Sequence, residues 1–250
     1  MKFFTDKTVI NDYLLVKIVD YVKMKDKSKW EEILIDPGVY DLTKGFKFSW
    51  EGDINIPEFL DSLPGNHYFS CDLPSDMNLK YKKYFLEKSW QYAKAYSYHP
   101  QFIVTVQFFH NNYWSFKENF DRYNALNIKS GFLGIGNYCK HHYYNEFVKH
   151  SLPYAFKHSN CPRIHIYGCS LRLIPIAYRL ADRYGVELSV DSTKWDFYWY
   201  ERDYERGNRQ KAFNWYMDKI KTKGVVLENT IWEQLKIFYG YTLKPNRGNK

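Results

Sequence analysis

Short apolar runs punctuate the chain, separated by longer stretches in which apolar residues recur at three-to-four spacing. The clearest runs are Ile33-Leu34-Ile35, His67-Tyr68-Phe69, Phe102 to Val106, Gly131-Phe132-Leu133, Arg163 to Tyr167 and Glu187 to Val190. Each is rich in β-branched or aromatic side chains, as strands buried on both faces are. The clearest helical stretch is 170–184, where Leu171, Ile174, Tyr178, Ala181 and Tyr184 share a face and Gly185 follows as a stop. Residues 142–152 place Tyr144, Phe147, Val148 and Leu152 together, and Pro153 is expected to kink or end that helix. The stretches 208–222 and 229–239 also read as helical.

Strand and helix alternate at intervals of roughly thirty residues, which is the signature of βαβ units and a parallel sheet. The first 30 residues and the run Val225-Val226-Leu227 are expected to supply two further strands. Eight strands close a ring, so the expected fold class is α/β, a (β/α)8 TIM-type barrel, with residues 1–250 as one domain. A doubly wound open sheet has the same periodicity and stays open as the rival. There is no internal repeat, low-complexity linker or Pro/Gly-rich seam to mark a second domain.

In either architecture, functional side chains gather just beyond the carboxyl ends of the strands. The six runs lead into Asp36-Pro37-Gly38-Val39-Tyr40, Cys71-Asp72-Leu73-Pro74, Gln107, Gly134-Ile135-Gly136, Tyr167-Gly168 and Asp191-Ser192-Thr193. A closed sheet therefore brings three carboxylates, an amide, two glycine segments and two tyrosines to one rim. Two carboxylates facing one ribose can run a double displacement, one attacking the anomeric carbon and the other moving protons on the bases. A third carboxylate and an amide can read a purine edge, and an aromatic can stack on it. Plainer roles compete: Asp191 ahead of Ser192 and Thr193 suits a helix cap, Gln107 a buried structural amide, Gly134 and Gly136 a tight turn, and the two tyrosines packing.

The order of these segments resembles the tRNA-guanine transglycosylase superfamily. Asp36-Pro37-Gly38-Val39-Tyr40 is similar to that family's Asp-Ser-Gly-Gly-aromatic segment, and Val106-Gln107 to its Val-Gln strand end. Gly134-Ile135-Gly136 stands where the family has a Gly-Gly-Leu turn, and Ile166-Tyr167-Gly168 resembles the segment over the base's other face. Ser189-Val190-Asp191-Ser192-Thr193, followed by Trp195, looks closest to the DNA-modifying, 7-deazaguanine-inserting branch. The resemblance implies Asp191 as nucleophile and Asp36 as partner carboxylate. It further implies base selection by Asp72, Gln107 and Gly134-Ile135-Gly136, with Tyr40, Tyr167 and Gly168 flanking the base. Its second substrate would be a free 7-deazaguanine base, and no cofactor is implied. The zinc-binding Cys-x-Cys-x-x-Cys segment of the tRNA enzymes is absent, as no cysteine follows Cys169. That favours DNA over tRNA as the polymer.

Composition agrees with a nucleic-acid partner. The 250 residues carry a formal charge of +8, and 20% of them are aromatic. Basic and aromatic residues mix densely over about 195–223, beside the proposed nucleophile, as a surface for a flipped or single-stranded nucleotide would require. Cys71, Cys139, Cys161 and Cys169 form no CxxC pair and no leader-like apolar run precedes the first strand, so a cytoplasmic protein with free thiols is expected. Cys139, His141, His142 and Cys161 fit no common zinc spacing, and no apolar stretch suits a membrane span. The rival function class is a non-catalytic nucleic-acid-binding barrel, and a generic sugar- or phosphate-handling barrel enzyme is a third.

Overall fold

In the computed structural model, which describes residues 1–7, 9, 11–38, 48, 50–73, 81–138, 145–192 and 209–227, eight parallel strands form the expected ring. They are β1 (Lys2–Phe4), β2 (Tyr13–Lys17), β3 (Glu32–Asp36), β4 (His67–Ser70), β5 (Phe102–Val106), β6 (Phe132–Ile135), β7 (Arg163–Ile166) and β8 (Glu187–Asp191). Each pairs with its sequence neighbour, and β1 pairs with β8. Between β1 and β2 the ring closes at a single parallel bridge, Thr5 to Leu14. Asn11 pins this seam, since its side-chain amide donates to the carbonyls of Phe3 at 2.7 Å and Tyr13 at 2.8 Å. The open-sheet alternative is thereby excluded.

Both missing strands come from the first 30 residues, and Val225-Val226-Leu227 forms none. The closed ring leaves no edge for a ninth strand. The run instead lies beside the chain start, where the Met1 amino group donates to the Val226 carbonyl at 3.1 Å, and Val225 is buried.

Helices α1 (Ile18–Tyr21), α2 (Ile56–Asp61), α3 (Lys82–Tyr96), α4 (Tyr113–Asn124), α5 (Glu146–His158), α6 (Ile174–Tyr184) and α7 (Arg209–Lys221) form the outer layer. Asn112 and Asn145 cap α4 and α5 by accepting from the backbone N–H groups of Ser115 and Val148. Pro153 does not end α5, as its spacing suggested; the helix begins later and runs through it to His158. The carbonyl that loses its bond belongs to Lys149 on the exposed side, where water can replace the partner. Helix α6 starts at Ile174, not 170, because Pro175 suits a first turn, and it stops at left-handed Gly185. Helix α7 buries Phe213 and Tyr216 against Phe3 of β1. Half of the basic aromatic stretch is therefore barrel wall; Trp195 to Asn208 and the helix expected at 229–239 lie outside the described residues.

The barrel interior is filled in three layers, as alternation along the strands requires. At the amino end, Glu32 and Glu187 pair with Lys2 at 3.0 and 2.8 Å and with Arg163 at 2.5 and 3.1 Å. The Arg163 guanidinium lies over the Phe132 ring at 4.0 Å. Above this ionic plug, Phe4, Tyr13, Leu34, Ile103 and Phe132 form an apolar layer. The top layer, at the carboxyl ends, is polar. Glu32→Gln should lower stability by about 2 kcal/mol, because two half-buried cations would keep only Glu187. A lower urea midpoint at unchanged slope would register it, and an unchanged midpoint would make the plug energetically idle.

Candidate active site

Alternation aims Asp36, Ser70, Asp72, Thr105, Gln107, Tyr167, Ser189 and Asp191 inward at the carboxyl end, along with Gly134 and Gly136. Asp191 ends β8 and is 7% exposed. Its Oδ1 accepts from the Gly168 backbone N–H at 2.9 Å and lies 3.1 Å from His165 Nε2. The backbone groups that a helix cap at Asp191 would accept from lie beyond Ser192, outside the described residues. Gly168 has φ of 66°, a conformation that glycine adopts without strain, and this turn aims its N–H at the carboxylate.

On the other side, Asp36 ends β3, and its Oδ1 accepts from the Gly38 N–H at 2.6 Å. The Pro37 carbonyl accepts from Trp50 Nε1 at 2.7 Å, which ties this loop to the core. Asp72 is buried beyond β4, where the Ser89 hydroxyl anchors the next residue by accepting from the Leu73 N–H at 2.8 Å. Burial, and then the nearby Asp36 carboxylate, push the Asp72 carboxyl up to about 7. Gln107 offsets part of this by donating Nε2 to Asp72 Oδ2 at 2.5 Å.

Tyr167 links the two sides. Its ring lies 4.4 Å from the His165 ring, and its phenol is raised above the usual range by burial, Asp72 and Asp36. The phenol lies close to Ser70 and Thr105, yet neither hydroxyl makes a hydrogen bond of good geometry. With Gln107 Oε1, these are three buried polar atoms at one end of the barrel that make no hydrogen bond of good geometry among the described residues. Buried polar atoms in such positions are available to a polar ligand.

Two glycines leave space for this arrangement. A Cβ on Gly134 would stand 2.6 Å from Thr105 Oγ1 and 2.8 Å from the Tyr167 ring; one on Gly136 would stand 2.2 Å from Gln107 Nε2. The expected glycine turn is in fact strand: Gly134 and Ile135 lie in β6, and the Gly136 N–H donates to the Val106 carbonyl at 3.0 Å. Parallel pairing with β5 uses that N–H, and the Ile135 side chain points into the helix-facing core. What the segment contributes is absent side chains. Gly136→Ala should lower the melting temperature by several degrees, because the buried Gln107 amide must move off the added methyl. It should separate Gln107 from Asp72 and weaken ligand binding roughly tenfold. Calorimetry against titration of a candidate base checks both, and unaltered binding would remove Gln107 from recognition.

Tyr40, Pro74, Thr193, Cys139, His141 and His142 lie outside the described residues, so Tyr40 has no placed role. Among the described residues, no set of three or more His, Cys, Asp or Glu side chains is grouped to hold a metal. No helix there is long and apolar enough to cross a membrane. A surface groove between α3 and α4, lined by Lys83, Glu87, Trp114 and Arg122, contains none of the converging groups.

Ser70, Thr105, His165 and Ser189 are the site residues that strand-end reasoning missed. They lie one pleat below the rim, where only period-two alternation from Asp72, Gln107, Tyr167 and Asp191 would have found them. No family model, curated protein or solved structure matches the chain.

Proposed function

We propose that this barrel is a base-exchanging transglycosylase that replaces guanine in DNA with a 7-deazaguanine base through a covalent glycosyl-aspartate. The observation that carries the reading is Asp191, buried and held at one oxygen, joined through His165 and Tyr167 to the Asp36–Asp72 side of the same rim. A carboxylate so oriented suits nucleophilic attack, and a second carboxylate across the rim suits proton handling.

Asp191 attacks C1′ of the target nucleotide as the C1′–N9 bond breaks, and guanine leaves with a proton from Asp36. The Asp36 carboxylate then takes the ring N9 proton of the entering base. That base displaces Asp191 from C1′, with net retention at the sugar. Asp72 and Gln107 read the base edge, and the partly exposed Tyr167 underlies it. The net charge of +8 favours a polyanionic substrate, and a duplex nucleotide would have to leave the stack to reach an interior site.

Mass spectrometry of nucleosides after incubation of the protein with a 7-deazaguanine base and DNA or tRNA tests the reading. Deazapurine nucleoside in the DNA sample is the expected result. Incorporation into tRNA alone would move the enzyme to the other polymer. Salt-sensitive binding with no incorporation into either would make it a binding barrel.

A further inference from the structure

His165 has no part in the exchange chemistry above, yet it is fully buried at the centre of β7 with both ring nitrogens engaged. Nδ1 lies 3.0 Å from Ser189 Oγ, and Nε2 lies 3.1 Å from Asp191 Oδ1. The rings of Phe4, Phe132 and Tyr167 surround it at 5.7, 6.3 and 4.4 Å. An ionised carboxylate only accepts, so Nε2 must carry the hydrogen of that bond. Nδ1 then faces a hydroxyl able to donate to it. Gly168 N–H reaches the same oxygen at 2.9 Å. Two donors thus converge on Oδ1, while Oδ2 makes no hydrogen bond with any described residue.

We propose that His165 is the positioning residue of the nucleophile, and that Oδ2 of Asp191 is the atom that attacks. This rests on the base-exchange reading. Ser189 holds the ring in its Nε2–H form, and His165 with Gly168 clamps Oδ1. When the Oδ2–C1′ bond forms, the electron pair of the C1′–N9 bond leaves with the departing base. Oδ1 becomes the ester carbonyl oxygen and keeps both donors. On return, the Oδ2–C1′ electron pair goes back to the carboxylate, whose charge the two donors stabilise. The clamp therefore orients Oδ2 for the attack and assists the return, when charge redevelops on the carboxylate, without touching the sugar or base.

Two measurements test this. Imidazole 15N NMR of the histidine-labelled wild type should show Nε2 protonated, with that resonance moved by Asp191→Asn and the Nδ1 resonance moved by Ser189→Ala. A ring protonated at Nδ1 only would overturn the clamp whatever the activity. In exchange assays, His165→Phe keeps the ring and its packing but lowers kcat about 100-fold with little change in KM for the free base. His165→Gln, whose amide can still donate toward Oδ1, regains about tenfold of that loss. If His165→Phe fails to fold, the Gln and Ser189→Ala variants carry the kinetic comparison. Wild-type kcat in these variants, with Asp191→Asn inactive, would overturn the positioning role and leave the exchange reading standing. Absence of exchange in the wild type itself would overturn both the reading and the nucleophile assignment.

Discussion

Asp191→Asn should abolish exchange, lowering kcat by about 10⁴-fold or more, and should eliminate any trapped protein–nucleic acid adduct. The amide is nearly isosteric with the carboxylate, and its Oδ1 can still accept from Gly168 and His165. Fold and nucleic-acid affinity should therefore persist, and the loss would be specific to covalent chemistry. Denaturing electrophoresis of a stalled reaction, with polymer but without incoming base, reads the adduct directly. A variant that retains near-normal exchange would remove Asp191 from the mechanism. Asp36→Asn should differ in kind: it should still form adduct, slowly because guanine leaves without a proton from Asp36, and attack by the entering base should slow too, because its N9 proton has lost its acceptor. Comparing adduct with product separates the two carboxylates' roles.

How much of this was legible in the sequence depended on distance along the chain. Strands β3 to β8 were visible because each is an apolar run between turn residues, which is a local property. Strand β1 is only Lys2–Phe4, too short for any periodicity, and its closure on β2 depends on Asn11, whose role lies in a loop. Val225-Val226-Leu227 has strand-like composition, but composition cannot tell an edge position from a loop packed on the barrel end. The rim residues were legible because strand ends in such folds face one side. The Arg163–Glu32 pair was not, since 131 positions separate its members and only ring closure brings them together. His165 failed for another reason. In Arg163-Ile164-His165-Ile166 it reads as one polar residue in a strand, and its meaning comes from Ser189 and Asp191 on the neighbouring strand.

Asp72→Asn should stabilise the protein above neutral pH while impairing its use of the base. The folded-state carboxyl is raised to about 7 by burial and by Asp36, against 3.8 for the free group. Between those values the folded protein holds a proton that the unfolded chain has released, so stability falls as pH rises through that window. Below about pH 4 the term is absent, and above about pH 7 it reaches its full size, roughly 4 kcal/mol. The asparagine variant does not titrate, and its Oδ1 can keep the bond from Gln107 Nε2. Its advantage in melting temperature should therefore be near zero at pH 4, grow through pH 5 to 7, and level off at roughly 10 °C by pH 8. Affinity for the free base should fall by the equivalent of about 1–3 kcal/mol, because an amide offers one acceptor where the carboxylate offers two. Melting curves at several pH values, with base titrations at pH 8, provide the check. A pH-independent difference in melting temperature would mean that Asp72 is not the strained carboxyl. Gain and loss together would mark it as a group held at the rim for binding, against the interest of the fold.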